Sequence, residues 1–358
     1  MKIKIEKETL FYIPWIFMVI HLCVANSNAA NYNIPAISYI CIMLFGLKIL
    51  WTKNYSLKQI IIMGVIIGMS IMSALQSKDM RFFWFALVLC ASKGIDFDKV
   101  IKYTVWTTSV SCLVFIVLYY FGVINGATSV SSRGVRKSFG LGHPNMCAAY
   151  YALIIVYLLY LNYEKIKLKF IVVMLLGACI VFYETKSNTG FIVTILTIAI
   201  FCVLKYIPLR KTNTRLIISL LVLIIAIFTI MPIKYNNSLS WLDILMSGRL
   251  HQANFYFEKY GISLLGSDIS YDLNKWNTDN ILDLGYARML IANGIGYYCL
   301  IVGGYIISIF RAMKLEQRKL LVLLGTMIIY IATENVATYI FMNASMLVFS
   351  KIIFKDKR

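Results

Sequence analysis

The chain has 358 residues, of which 60% are hydrophobic and 14% charged, and its mean hydropathy is +0.76. Apolar stretches near the ~20 residues that a helix needs to cross a bilayer recur along its whole length, which excludes a water-soluble globular protein. The net charge of +19 sits mostly in the short segments between those stretches, so it reflects topology and attraction to anionic lipid, and nucleic acid is not an expected partner.

The chain opens on a charged segment, Met1 to Glu8, and no small-residue cleavage site follows the first apolar stretch, which therefore reads as a retained span. Spans are predicted at about 10–25, 34–51, 59–75, 80–95, 100–122, 144–161, 168–184, 190–207, 216–232, 285–310, 320–335 and 338–354. About twelve spans make an all-α polytopic membrane protein, one integral domain over 1–358 with an extracytoplasmic loop subdomain over 233–284 between spans nine and ten. An even number puts both termini on one side. The amino terminus, the loops near 52–58, 93–102, 162–169, 205–215 and 311–319, and the tail from Lys351 hold most of the 35 basic residues, so that side is cytoplasmic. The polar regions 122–145, 184–190 and 233–284 then lie outside. The 8 cysteines fall inside or at the edges of apolar segments without Cys-x-x-Cys spacing, as core- or lipid-facing thiols would.

Several cations lie on the outer side against this bias. Arg133, Arg136 and Lys137 precede Ser-Phe-Gly-Leu-Gly-His143-Pro144-Asn145, where Pro144 is placed to start the sixth helix. A helix amino terminus beside cations can hold an anion, although a solvated loop can also simply contain arginines. His143 reads either as a substrate contact or as a cap. In the long loop, Ser247-Gly-Arg249-Leu-His251 opens an aromatic stretch that ends at Tyr260. If 240–260 is helical, Arg249, Gln252 and Tyr256 share a face, while Arg249 and His251 diverge by about 200° and cannot readily address one site. Arginine suits a diphosphate better, because its planar fork matches the oxygens and stays charged. The aromatics are rings at the membrane interface or platforms for sugar faces. Asp279 and Asp283, four apart, would share a helical face just outside span ten, with Arg288 five beyond. They read as a carboxylate base with its neighbour, or as ordinary helix-start residues.

In these residues the chain resembles the O-antigen polymerase and ligase superfamily, and most of all its Wzy-type polymerases of capsule, exopolysaccharide and O-antigen synthesis. The resemblance is carried by Arg136-Lys-Ser-Phe-Gly-Leu-Gly-His143-Pro-Asn145, the turn Lys186-Ser-Asn-Thr-Gly190, Ser247-Gly-Arg249 followed by Leu264-Leu-Gly266, and Asp283-Leu-Gly-Tyr286-Ala-Arg-Met-Leu290-Ile-Ala-Asn-Gly294. It covers about residues 100–310, and each motif is short. Two departures matter. Ligases of the superfamily have a histidine where this chain has Asp283, which argues against a ligase. The outer turn has Asn188 where relatives often have arginine, so the anion contact expected there either comes from Lys186 or is absent.

The resemblance implies a GT-C-like glycosyltransferase that acts on polyprenyl-diphosphate-linked oligosaccharide at the outer face of a bacterial cytoplasmic membrane, with a flippase and a chain-length regulator as possible partners alongside membrane lipids. Its catalytic residues would be Asp283, Arg249 and Arg136, with Arg133, His143, Asn145, Lys186, His251, Asp279 and Arg288 contacting substrate. No Gly-Lys-Ser/Thr phosphate loop is present, so activation would come with the lipid substrate and no cofactor is expected. The 3 histidines are scattered and no Asp-x-Asp occurs in the outer regions, so no metal is expected either. The alternatives are a ligase-like transferase, or a lipid-linked oligosaccharide flippase or transporter, whose charges should lie deep within spans.

Overall fold

The computed structural model describes residues 7–126, 128–131, 134–207, 211–274 and 282–354, whose regular secondary structure is helical apart from one two-stranded hairpin. In chain order the elements are α1 (Thr9–Ala25), α2 (Ala36–Trp51), α3 (Leu57–Ser77), α4 (Arg81–Ala91), α5 (Phe97–Tyr120), β1 (Thr128–Ser131), β2 (Gly134–Lys137), α6 (Pro144–Leu161), α7 (Leu168–Thr185), α8 (Asn188–Tyr206), α9 (Lys211–Ile233), α10 (Ser240–Leu245), α11 (Arg249–Tyr260), α12 (Ser270–Asn274), α13 (Gly285–Arg288), α14 (Gly294–Lys314), α15 (Arg318–Thr333) and α16 (Ser350–Ile353).

Among the described residues, seven helices are long and apolar enough to cross a membrane: α3, α5, α6, α7, α8, most of α9, and the run Gly285–Lys314. The protein is an all-α polytopic membrane protein. Exposed apolar side chains such as Leu75, Trp106, Val173 and Ile180 suit a lipid-facing surface. Helix starts follow local chemistry. Ser56 and Gln59 form a capping box at α3, and the Asp96 side chain accepts from the amides of Asp98 and Lys99 at α5. Helix α6 begins at Pro144, as the sequence predicts.

Two predicted spans take another form. Residues 80–95 give only α4, whose 11 residues rise about 16 Å, roughly half of a bilayer's hydrocarbon core. Residues 338–354 form no continuous helix but short 3-10 turns, Asn335–Thr338 and Ala344–Phe349, before α16. Polar side chains compete for the backbone there: Asn343 donates to the Ala337 carbonyl at 2.7 Å and to the Tyr305 hydroxyl at 2.8 Å, and Ser345 donates to Asn343 at 2.6 Å. Such irregular backbone survives at membrane depth only inside protein, and Val336 to Phe349 is almost entirely buried.

The chain forms two compact units. The first comprises 1–52, 94–208 and 317–326, and the second 53–93, 209–316 and 327–358. In the first, α1 packs on α2 and α5, α5 on α6, and α6, α7 and α8 on one another, with β2 against α7. In the second, α3 packs on α4, the 344–349 turn on α4 and α14, and α9 on α11, α13 and α14.

The long loop belongs to the second unit and does not close a core of its own. Leu250, Ala253, Tyr256 and Phe257 of α11 pack with Leu284, Ala287, Leu290 and Ile291 of the following span. The helix expected over 240–260 breaks at Ser247 and Gly248, both left-handed, and restarts at Arg249. The span itself is interrupted. Between α13 and α14, Met289–Asn293 forms a π turn, and Gly294 adopts φ +85°. Loop residues dock onto this break through backbone hydrogen bonds, Ser267 N to Ile291 O at 2.8 Å and Ile295 N to Ser263 O at 3.0 Å. A Cβ on Gly266 would meet the Ala292 carbonyl at 2.1 Å, and one on Gly294 would meet the Leu264 carbonyl at 2.4 Å. The two glycine motifs are therefore halves of one backbone joint.

Candidate functional site

In the first unit the sequence-predicted residues gather around the β1–β2 hairpin, which lies within the polar region 122–145. Its register sets Ser129 opposite Arg136 and Thr128 opposite Lys137. Side chains alternate along a strand, so Arg136 turns inward and Lys137 outward. Arg136 Nε donates to the Thr185 carbonyl at 2.9 Å, and Nη2 to Asn145 Oδ1 at 2.5 Å. A guanidinium at the carboxyl end of α7 also meets the negative end of its dipole. Lys137 pairs with Glu184 at 2.9 Å. Lys186 follows Thr185 in a left-handed conformation, its Nζ 4.2 Å from the Tyr183 ring centroid. His143 caps α6, its Nδ1 accepting from the Asn145 amide at 3.1 Å. Arg136, Asn145 and Lys186 thus lie on neighbouring chain ends. Arg133 lies outside the described residues.

The second unit builds a more enclosed cluster around Arg249. The Asp243 carboxylate accepts from the amides of Leu250 and His251 at 2.8 and 3.2 Å, which anchors the start of α11 and fixes where Arg249 points. Arg249 is 7% exposed, donates to the Thr333 carbonyl, and pairs through Nη2 with Glu334 Oε1 at 2.9 Å and Asp283 Oδ2 at 3.2 Å. Burial alone would lower its pKa, but the charges of Glu334 and Asp283 outweigh that and hold it above the ordinary arginine value. Asn335 Nδ2 donates to Asp283 Oδ1 at 3.0 Å. Both Asp283 oxygens are thereby oriented, while its side chain keeps 22% exposure against 11% for Glu334.

Asp283 is not helical, contrary to the expected face shared with Asp279. It lies in a segment without regular secondary structure, between Leu282 and Leu284, which are both buried while Asp283 is only partly so. Asp279 lies outside the described residues. His251 is exposed, its ring 5.7 Å from Tyr235, and the divergence of about 200° expected from the helical period separates it from the Arg249 cluster.

Arg288 belongs to a third group. Its Nη2 lies 3.5 Å from Asp79 Oδ2, and Arg81 Nε lies 3.7 Å from the same oxygen. Arg81 also donates to the Tyr339 hydroxyl at 3.0 Å and stacks 4.1 Å from that ring's centroid. Burial would raise the Asp79 pKa, yet Arg81 and Arg288 outweigh it and hold the carboxyl below the usual carboxylate range.

Sequence reading did not assign Glu334, Asn335, Asp79 or Arg81 to a site. A signal existed for two of them, since Lys78-Asp-Met-Arg81 places charges between apolar runs; Glu334 looked like a span end. Among the described residues no group of three His, Cys, Asp or Glu side chains could hold a metal ion. No family model, curated protein or solved structure matches the chain.

Proposed function

We propose that this protein is a polysaccharide polymerase, a membrane glycosyltransferase that moves a growing glycan from polyprenyl diphosphate to the nonreducing end of a lipid-linked repeat unit on the outer face of a bacterial cytoplasmic membrane. About twelve crossings in a GT-C-like arrangement belong to the same proposal. The observation that carries it is the Arg249–Asp283–Glu334 cluster: a carboxylate with both oxygens oriented, at the edge of a buried ion pair, in a polar loop docked on a broken membrane span.

In the reaction Asp283 takes the proton of the acceptor hydroxyl as that oxygen attacks the anomeric carbon. The bond from sugar to phosphate breaks, its electrons leave with the diphosphate, and a single displacement inverts the anomeric centre. Arg249 has two carboxylate partners already, so its part is to position Asp283. Within the first unit, Arg136, whose fork matches phosphate oxygens, and Lys186 are assigned to contact the lipid-linked substrate.

Purified protein in lipid nanodiscs, mixed with a polyprenyl-diphosphate oligosaccharide repeat, should yield a ladder of products spaced by one repeat. A single transfer to a non-polymer acceptor would identify a ligase. Absence of any new glycosidic bond, with repeat units moved across the bilayer instead, would replace the reading with a flippase.

A further inference from the structure

The aromatic stretch 254–260 closes around a single charge. Lys259 Nζ lies 5.6 Å from the Phe255 ring centroid, 5.5 Å from that of Tyr260 and 6.0 Å from that of Tyr271, and 2.6 Å from Asp272 Oδ2. Phe255 stands one helical turn before Lys259 on α11, and Tyr271 and Asp272 come from α12. The surround is held by contacts that do not involve Lys259. Tyr260 stacks at 6.0 Å on Tyr256, which is fully buried in the core beneath α11, and its hydroxyl donates to Asp272 Oδ2 at 2.7 Å. Ile269 is buried in the same core, and Asp268, paired with Lys78 at 2.7 Å, accepts from the Ser270 amide at 3.0 Å, which fixes the start of α12. Exposure divides the parts by role. The Asp272 side chain, 4% exposed, is the floor, whereas Phe255 at 37% and Tyr271 at 64% form the rim. Ring faces above a buried carboxylate attract an ammonium group, tethered or free.

We propose that Phe255, Tyr260, Tyr271 and Asp272 form a binding site for an ammonium group, with Lys259 as a tethered stand-in that an amine-bearing ligand displaces. The Lys259 side chain is 43% exposed at the end of a flexible stem, so its withdrawal into water costs little. Asp272 is too buried to be left without a counter-charge, and the site therefore exchanges one cation for another. Three rings around the cation favour an ammonium that carries carbon over a bare metal ion, and an anionic or neutral ligand gains nothing from them. Two sources of such a group lie within reach of a loop at the membrane edge, an amino sugar in the repeat unit and the ethanolamine headgroup of a phospholipid. That the amine arrives on a repeat-unit sugar rests on the polymerase reading; the affinity for ammonium does not.

The test uses the full chain in phosphatidylglycerol nanodiscs with choline as the soluble probe, binding being read by titration calorimetry and by the rise in Tm with choline concentration. Lys259→Met keeps most of the stem and removes the tethered competitor, so this variant should bind choline about tenfold or more tighter than the wild type. Adding Tyr271→Ala to Lys259→Met should remove that gain. If Lys259→Met does not fold, the wild type at high choline should show a rise in Tm that Tyr271→Ala, a change at an exposed side chain, abolishes. Loss of choline binding in phosphatidylethanolamine nanodiscs assigns the site to the headgroup, and competition by soluble glucosamine but not by that lipid assigns it to an amino sugar. Absence of choline binding by both the wild type and Lys259→Met, equal affinity in those two, or a gain that survives Tyr271→Ala overturns the proposal. Glucosamine binding without a product ladder would leave this site standing and overturn only the polymerase reading.

Discussion

At the residue scale, Asp283→Asn separates basicity from shape. The amide can still contact Asn335 and occupy the same volume, so lipid-linked substrate should bind while turnover falls by ~10² to 10⁴, as for loss of a general base. Equal turnover in the variant would move the base elsewhere. Arg249→Ala leaves Asp283 and Glu334 without their counter-charge in a mostly buried place, a loss of about 3–5 kcal/mol from a total stability of about 5–15 kcal/mol. Folded yield and turnover should therefore fall together. Arg249→Lys should restore folded yield but lower kcat with KM unchanged, because one ammonium cannot hold two carboxylates in the same geometry. Arg136→Ala should lower polymer formation with little loss of folded protein, since the hairpin keeps its ladder, and lysine should rescue it poorly.

A pH response belongs to this scale too. The hydrogen bond from Lys78, with those from Ser270, lowers the Asp268 pKa from 3.8 to about 2. A depressed carboxylate contributes stability that is fully present above its ordinary value and is lost as pH falls through about 2. Melting curves between pH 5 and pH 2 should show a shallower acid loss for Asp268→Asn than for the wild type. Because this ion pair is partly exposed, the difference should shrink as salt is raised.

At the scale of elements, the joint between the loop and the broken span is the part most sensitive to volume. Gly266 has φ +91°, and its Cβ position is 2.1 Å from the Ala292 carbonyl, so alanine there meets both backbone strain and a rigid backbone atom. Gly266→Ala should cost more than about 1 kcal/mol and expose the loop to protease. Gly303, in the middle of α14, is the control. Nothing lies within 4 Å of its Cβ position, so Gly303→Ala should be neutral or raise Tm slightly through helix propensity. A Gly266→Ala variant as stable as the Gly303→Ala variant would show that the joint does not hold the loop.

At the scale of the molecule, the distribution of basic residues predicts which side of the membrane each loop faces. In a background where the exposed Cys179 and Cys299 are replaced by serine, a cysteine at Ser238 should react with an impermeant thiol reagent added outside, and one at Glu164 should react only after the membrane is opened. The reverse pattern would put the Arg249 cluster on the cytoplasmic side and remove it from lipid-linked glycan.

The membrane class and most of the long helices were legible in the sequence because both are local. An unbroken apolar run defines α3 or α7 without reference to any other part of the chain, and His143-Pro144 marks the start of α6 by its own cap and fixed φ. The polar loop likewise announced Arg249 and Asp283. What no local pattern contains is their company: Glu334 reaches Arg249 from 85 residues away, Asn335 reaches Asp283 from 52, and Tyr339 reaches Arg81 from 258. Hydropathy reads 80–95 and 338–354 as spans, yet a short buried helix and a set of 3-10 turns satisfy their backbone groups as well once other helices enclose them. The sequence by itself determined that this chain lives in a membrane and carries a long charged loop between two apolar runs. Only the tertiary structure decided which charges meet, because pairing buried charges depends on distances that arise when remote segments pack, and those distances are written in no single stretch of chain.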